Sequence, residues 1–294
     1  VTELEQVHLR DGRILDVRVT GPETGVPLVF HHGTPAAATQ SRFFERALAD
    51  RGLRLIEASR AGYGGSTRLA GRSVADVVTD TAEVLEWIGV DRCLVGGWSG
   101  GGPHALACAA RLEGVIAALV IAGAAPRDAD GLDWLAGMGD ENIAEFSLAF
   151  EGEEAVRRFV EPIGEEMKVA TTEEVVAALD SLLPEVDRAV LTGEFGEDMR
   201  DGIHEAVRVS VDGWVDDDLA FVKHWGFELE EISVPTMIWH GSEDLMVPIA
   251  HGRWLASRVP DATAHLLEGE GHLSVGIGAI GAILDELVSA VAES

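Results

Sequence analysis

The stretch Gly97-Trp98-Ser99-Gly100-Gly101 constrains this chain more than any other. It follows the apolar run Cys93-Leu94-Val95 and precedes a helix-like run from Pro103 to Arg111. A serine between glycines at a strand-to-helix turn is forced out of the backbone and into a cleft. The turn is so tight that a Cβ two positions before or after the serine would clash, so G-x-S-x-G follows from sterics. A hydroxyl presented in this way usually attacks a carbonyl carbon. To do so it needs a base, and the base needs a carboxylate that fixes its tautomer and stabilises its charged form.

The rest of the chain supplies the setting. Val7 to Leu9 and Ile14 to Val19 flank the turn signal Asp11-Gly12 and predict an antiparallel hairpin. Short apolar runs then alternate with helix-like runs. Pro27 to His31, Leu53 to Ala58, Arg92 to Val95, Val115 to Ala122, Pro235 to His240 and Thr263 to Leu267 read as strands. Arg42 to Asp50, the run behind the capping-box-like Ser73-Val74-Ala75-Asp76, Pro103 to Arg111, Ile249 to Arg258 and Ile277 to Val291 read as helices. This rhythm predicts an α/β fold, a mostly parallel, doubly wound sheet covered on both faces. It breaks once. Residues 127–230 are helix-like and hold 28 acidic against 8 basic residues, so they carry most of the net charge of −29. The expected organisation is a core domain of residues 1–126 and 231–294 with an inserted helical cap of residues 127–230.

Ligand sites in open parallel sheets lie past the carboxyl ends of the strands. Of the ten histidines, His272 is in the loop after the last strand, in Glu270-Gly271-His272-Leu273-Ser274. Asp244 is in the loop after the strand before it, in His240-Gly241-Ser242-Glu243-Asp244-Leu245-Met246-Val247-Pro248. The order Ser99, Asp244, His272 gives nucleophile, acid and base. Glu243 is the nearest competitor for the acid, and Asp128 and Asp130, after the preceding strand, are an alternative position for it. His31 and His32 read as scaffolding, and His240, His251 and His265 as structural. The scattered histidines have no paired spacing, so no metal site is expected.

On these residues the chain resembles the α/β-hydrolase-fold enzymes with a helical lid. The elbow, the His31-His32-Gly33-Thr34-Pro35 loop, the G-x-x-D-x-x-V-P pattern of residues 241–248 and Gly271-His272 occur in the family's order. The resemblance implies an oxyanion hole made by the backbone N–H groups of Thr34 and Gly100, donors of a kind typically worth about 3 kcal/mol each. It also implies a family loop at residues 59–66, although Ser59 and Ala61 stand where the family often has Asp and Pro. With serine at the elbow, the aspartate-dependent epoxide hydrolases and dehalogenases of the fold are disfavoured. Ester, thioester, lactone, amide and some carbon–carbon cleavages remain, and cofactor-free peroxidation is a side activity of similar enzymes.

The expected function is therefore a serine hydrolase that cleaves small carboxylic esters or lactones through an acyl-enzyme, with no cofactor. The alternatives are an aminopeptidase of the proline-iminopeptidase type and a non-enzymatic small-molecule receptor that keeps the triad. An acidic residue pointing at the serine would favour the peptidase, and a dry aromatic slot the esterase. Trp98 and Trp214 are candidate walls of the substrate pocket, and Trp134 and Trp225 also lie in the cap. Solvated helix faces explain the acidic runs at residues 194–201 and Asp216-Asp217-Asp218 more simply than amine binding does. The strong negative charge argues against nucleic acid or an anionic membrane as partner. Val1 to Arg10 is polar, which predicts no leader peptide, and the apolar run Gly114 to Pro126 is too short for a membrane span. A cytoplasmic location and a small-molecule acyl substrate are expected, with monomer and homodimer both open. Cys93 and Cys108 are expected as buried small hydrophobes.

Overall fold

A computed structural model describes residues 4–292. Its strands are β1 (Glu5–His8), β2 (Ile14–Thr20), β3 (Val26–His31), β4 (Leu53–Ala58), β5 (Cys93–Trp98), β6 (Val115–Ile121), β7 (Thr236–Gly241) and β8 (Ala262–Leu267). They form one sheet in the order β1-β2-β4-β3-β5-β6-β7-β8. The hairpin joins antiparallel through β2 to β4, and all later pairings are parallel. The helices α1 (Arg42–Ala49), α2 (Val77–Ile88), α3 (Gly101–Arg111), α10 (Ile249–Arg258) and α11 (Ser274–Ala292) cover its faces.

Side-chain alternation along the central strands explains the two-sided covering. In β6, Ala118 and Val120 join a core with Val29, Val95, Leu106 and Leu255, toward α3 and α10. Leu119 and Ile121 point to the opposite core with Leu28, Leu94, Ile283 and Leu287, toward α11. Such strands are apolar on both faces because neither face meets water. Each fully buried Leu or Ile there contributes roughly 1.5–3 kcal/mol relative to exposure. Cys93 and Cys108 sit in this interior as free thiols, and burial pushes both thiol pKa values up to about 12.

Several element boundaries shift by one to three residues from the sequence reading, and two differences are informative. β5 runs on through Trp98, because Gly97 and Trp98 still pair with β6 and Gly97 with β3. The helix behind Ser73 opens with a 3-10 turn over Val74–Asp76, where the Asp76 carboxylate accepts from both the backbone N–H and the hydroxyl of Ser73. A third point bears on the membrane reading. α11 is 19 residues long with a mean hydropathy of 1.8, enough by length and composition for a span. It lies against β6 and β7 and buries Val275, Ile283, Leu284 and Leu287 there.

Between β6 and β7 the chain is helical: α4 (Asp140–Glu151), α5 (Glu153–Met167), α6 (Thr172–Ala178), α7 (Glu185–Val190), α8 (Gly193–Val207) and α9 (Asp212–Phe221). A separate apolar cluster joins α4, α5, α6, α8 and α9, including Val156, Val160, Val207, Val211 and Val215, with Ala37 and Tyr63 contributed from outside the segment.

Candidate active site

Ser99 occupies the turn between β5 and α3 at φ +56°, a left-handed conformation that a side chain rarely adopts. Its backbone is fixed by hydrogen bonds from Ser99 N to Ile121 O (2.8 Å) and from Gly102 N to Ser99 O (2.9 Å). The flanking glycines are required by close approach. A Cβ at Gly97 would lie 2.1 Å from the carbonyl oxygen of Gly101, and one at Gly101 would lie 1.9 Å from that of His31. α3 starts directly after this turn, so the positive end of its dipole faces the serine region.

Asp244 and His272 come together. His272 Nδ1 donates to Asp244 Oδ2 at 2.8 Å, which leaves Nε2 as the nitrogen available for proton transfer. Asp244 Oδ1 accepts from the backbone N–H groups of Met246 (2.9 Å) and Val247 (2.7 Å). His240 Nε2 donates to Val247 O at 2.7 Å and lies 3.4 Å from Asp244 Oδ2, so it braces the same loop. Burial opposes the Asp244 charge, but attraction to His272 and hydrogen bonds from His240 and His272 hold its carboxyl below the ordinary range. Burial likewise opposes the His272 cation. Attraction to Asp244, their hydrogen bond and the charge of Asp187 outweigh it and raise the pKa above 6.5. Glu243 instead meets the hydroxyl of Ser242, so it does not compete for the histidine.

Ser99 and His272 line one cavity of about 250 Å³, together with Phe43, Trp98, Phe195 and Ile277. Among the described residues no hydrogen bond joins Ser99 Oγ to His272. Catalytic contacts of this type are often long without substrate and tighten in the complex. Ser99 also opens onto a second cavity of about 160 Å³, lined by Thr34 and Gly100 and walled by Trp214, Phe146, Phe159 and Ile163. Thr34 and Gly100 touch, since a Cβ at Gly100 would come within 2.4 Å of Thr34 Oγ1. Among the described residues, neither of their backbone N–H groups has a hydrogen-bond acceptor. Two unsatisfied donors beside a hydroxyl can hold a developing negative charge.

Trp98 and Trp214 thus wall different cavities. Trp98 Nε1 donates to His272 O (3.1 Å) and Trp214 Nε1 to Glu145 Oε1 (2.7 Å). Trp134 lines the smaller cavity too, whereas Trp225 stacks on Phe227 away from both. Among the described residues no group of three His, Cys, Asp or Glu is arranged to hold a metal ion.

Two supports of the site were not visible as motifs. The first is Asp187 on α7, fully buried. Its carboxylate accepts from the backbone N–H groups of His272 (2.8 Å), Leu273 (3.0 Å) and Ser274 (2.8 Å), gripping the His272 loop at the start of α11. The second is Asp217 on α9, also fully buried. It accepts from Thr34 Oγ1 (2.6 Å) and Tyr63 Oη (2.8 Å), and pairs with Arg60 and with Arg72 (2.6 Å). Arg60 in turn donates to the carbonyls of His32 and Gly33. His32 Nδ1 donates to Gly33 O (2.8 Å) and its Nε2 accepts from Arg60 N (3.1 Å), so burial and the Arg60 charge keep this ring neutral. The expectation that Asp216-Asp217-Asp218 forms a solvated face is therefore corrected. All three are buried, and Asp216 pairs with Arg68. The signal was present: these acids sit between Trp214-Val215 and Leu219-Ala220-Phe221, which leaves the helix no wet face.

Comparison with known proteins identifies the fold family. The family model for the alpha/beta hydrolase fold matches residues 26–279, and the chain belongs to that family. A protein of Mycobacterium phage D29, named as a non-heme haloperoxidase, is 34% identical over 122 residues, which is 41% of this chain but only 43% of the phage protein's length. The non-heme chloroperoxidase of Streptomyces lividans is 27% identical over 90% of this chain and 92% of its own. The pimeloyl-[acyl-carrier protein] methyl ester esterase of Aromatoleum aromaticum is 27% identical over 62% of this chain and 67% of its own. Among solved structures, the enol-lactonase of Burkholderia xenovorans LB400 superposes with a TM-score of 0.70 at 17% identity, covering 98% of this chain and all of its own.

Proposed function

We propose that the chain is a serine hydrolase of small carboxylic esters or lactones. Ser99 attacks the acyl carbon while His272 takes its proton, and Asp244 holds the imidazole in the tautomer that makes this productive. The N–H groups of Thr34 and Gly100 receive the charge that forms on the carbonyl oxygen. His272 then returns the proton to the departing oxygen, and water repeats the sequence on the acyl-enzyme. The leaving group gets its proton from His272, so it occupies the larger cavity, which His272 lines. The acyl group then occupies the smaller one, beside Thr34 and Gly100. In this reading residues 127–230 act as a cap that walls both cavities and excludes water.

The observation that carries the reading is the strained, cavity-facing Ser99, with an Asp244-bound His272 lining the same cavity. The pimeloyl ester esterase and the enol-lactonase, as named, have activities of this class. The test is turnover of 4-nitrophenyl butyrate by wild type and Ser99→Ala, with labelling by an alkyl fluorophosphonate read by mass spectrometry. A loss of kcat on the order of 10³-fold or more, with the label on Ser99, is expected. Wild-type turnover by Ser99→Ala would refute the reading.

A further inference from the structure

The smaller cavity carries a chemistry that ester cleavage does not use. Its lining combines apolar side chains such as Phe146, Phe159 and Ile163 with three carboxyl groups, Glu141 and Glu145 on α4 and Asp218 on α9. No Lys, Arg or His is among the residues lining it. Asp218 is fully buried, and among the described residues no N–H or hydroxyl donates to either of its oxygens. Its neighbour is the carboxyl of Glu145, and the two can hydrogen-bond only when one of them holds a proton, Asp218 being the one whose protonated form the contact favours. Glu141 Oε2 is likewise buried without a donor.

Leaving a buried carboxyl without partners destabilises the fold or forces the group to hold a proton. Burial and the mutual repulsion of the pair raise the pKa of Asp218 well above its ordinary value, and burial raises that of Glu145. The surrounding charges do not relieve this. Asp217, beside Asp218 on α9, adds repulsion, and Arg72, whose charge opposes it, is already paired with Asp217. The remaining donor, Trp214 Nε1, reaches only Glu145. A packing role would be served better by apolar residues of similar volume.

We propose that the Glu145–Asp218 pair is a recognition site for a positively charged amine carried by the acyl group of the substrate. The inference rests on the reading above only in calling that group acyl. An ammonium brings three donors and one positive charge to a site that lacks both. The apolar walls between the pair and Ser99 accept the methylene chain that joins the amine to the scissile carbonyl. The same charge repels acyl groups that end in a carboxylate. When the amine binds, the proton shared by the pair is released to solvent, because the ammonium now neutralises the carboxylates.

The experiment has two arms. In the first, kcat/KM is compared for 4-nitrophenyl esters of ω-amino acids of increasing length and of their methyl-terminated isosteres, such as 6-aminohexanoate against heptanoate. A preference for the amine of about tenfold or more at one chain length is expected, the scale of one charge-assisted contact. In Glu145→Gln/Asp218→Asn, and in Glu145→Gln alone, that ratio falls toward one. The second arm needs no turnover. Calorimetry on the wild type compares hexylammonium, hexanol and hexanoate, in buffers of different ionisation enthalpy. The ammonium binds at least about tenfold tighter than the alcohol, hexanoate binds weakest, and proton release accompanies ammonium binding. Equal affinity for ammonium and alcohol, or no proton release, overturns the proposal. Wild-type turnover by Ser99→Ala with the ammonium preference intact would overturn the hydrolase reading and spare this one.

Discussion

Asp187 is the residue whose replacement tests most directly how the proposed base, His272, is held. One buried carboxylate accepts three backbone N–H groups, those of His272, Leu273 and Ser274. Asn at this position keeps the shape and one carbonyl oxygen. It turns an NH2 toward at least one of the three donors and removes the charge from the others. With charge-assisted hydrogen bonds at roughly 1.5–3 kcal/mol, losing one and weakening two costs about 2–4 kcal/mol of stability. Part of that relaxation falls on the imidazole itself. A misplacement on the order of 1 Å lowers the rate about 10²-fold, so kcat/KM for 4-nitrophenyl butyrate is expected to fall by about that factor, mostly through kcat. A second readout separates positioning from general loosening. The Asp187 charge helps raise the His272 pKa, so its removal lowers that pKa. The base then stays neutral to lower pH, and the acid limb of kcat/KM moves down. Urea unfolding and a pH–rate profile of Asp187→Asn give both results. Wild-type kcat/KM with an unmoved acid limb would refute the argument.

Three other outcomes follow from the same kind of accounting. Burial pushes the Glu57 carboxyl up to about 8. The unfolded chain releases this proton near pH 4.5 while the folded chain keeps it, so stability falls as pH rises between those values. Glu57→Gln is expected to gain about 4 kcal/mol over wild type at pH 8 and less than about 1 kcal/mol at pH 5, read from urea midpoints; an equal difference at both pH values would contradict it. Asp217→Asn leaves the buried Arg60 and Arg72 without their counter-ion and is expected to cost about 3–5 kcal/mol; a melting temperature within a degree or two of wild type would sink this. Gly101→Ala drives a methyl group into the carbonyl of His31, where only backbone could yield. Large loss of stability or of folded yield is expected, and a well-folded, fully active variant would show that the elbow tolerates what its geometry forbids.

What the sequence disclosed follows from how local each cause is. The sheet was legible because its strands are buried on both faces and read as uninterrupted apolar runs. The elbow was legible because the turn itself requires Gly97, whose Cβ would strike the carbonyl oxygen of Gly101 four residues on. Asp244 and His272 were legible because each follows its strand by a short loop, and the structure joins them at 2.8 Å. Asp187 and Asp217 were not, because their partners are far away in the chain: 85 residues separate Asp187 from His272, and 183 separate Asp217 from Thr34. No periodicity or short spacing encodes such a pairing. The burial of Asp216, Asp217 and Asp218 could have been suspected from their apolar neighbours, but their partners Arg60, Arg68 and Arg72 could not have been named.

The grip of α7 on the His272 loop and of α9 on the Thr34 loop limits how this architecture can be re-engineered. Grafting a foreign segment between β6 and β7 is an obvious way to change substrate range, since that segment builds most of the smaller cavity's wall. Such a graft would also remove the struts from both halves of the proposed reaction centre. A chimera that retains aspartates at the positions of Asp187 and Asp217 inherits a working frame, and one chosen for pocket shape alone does not.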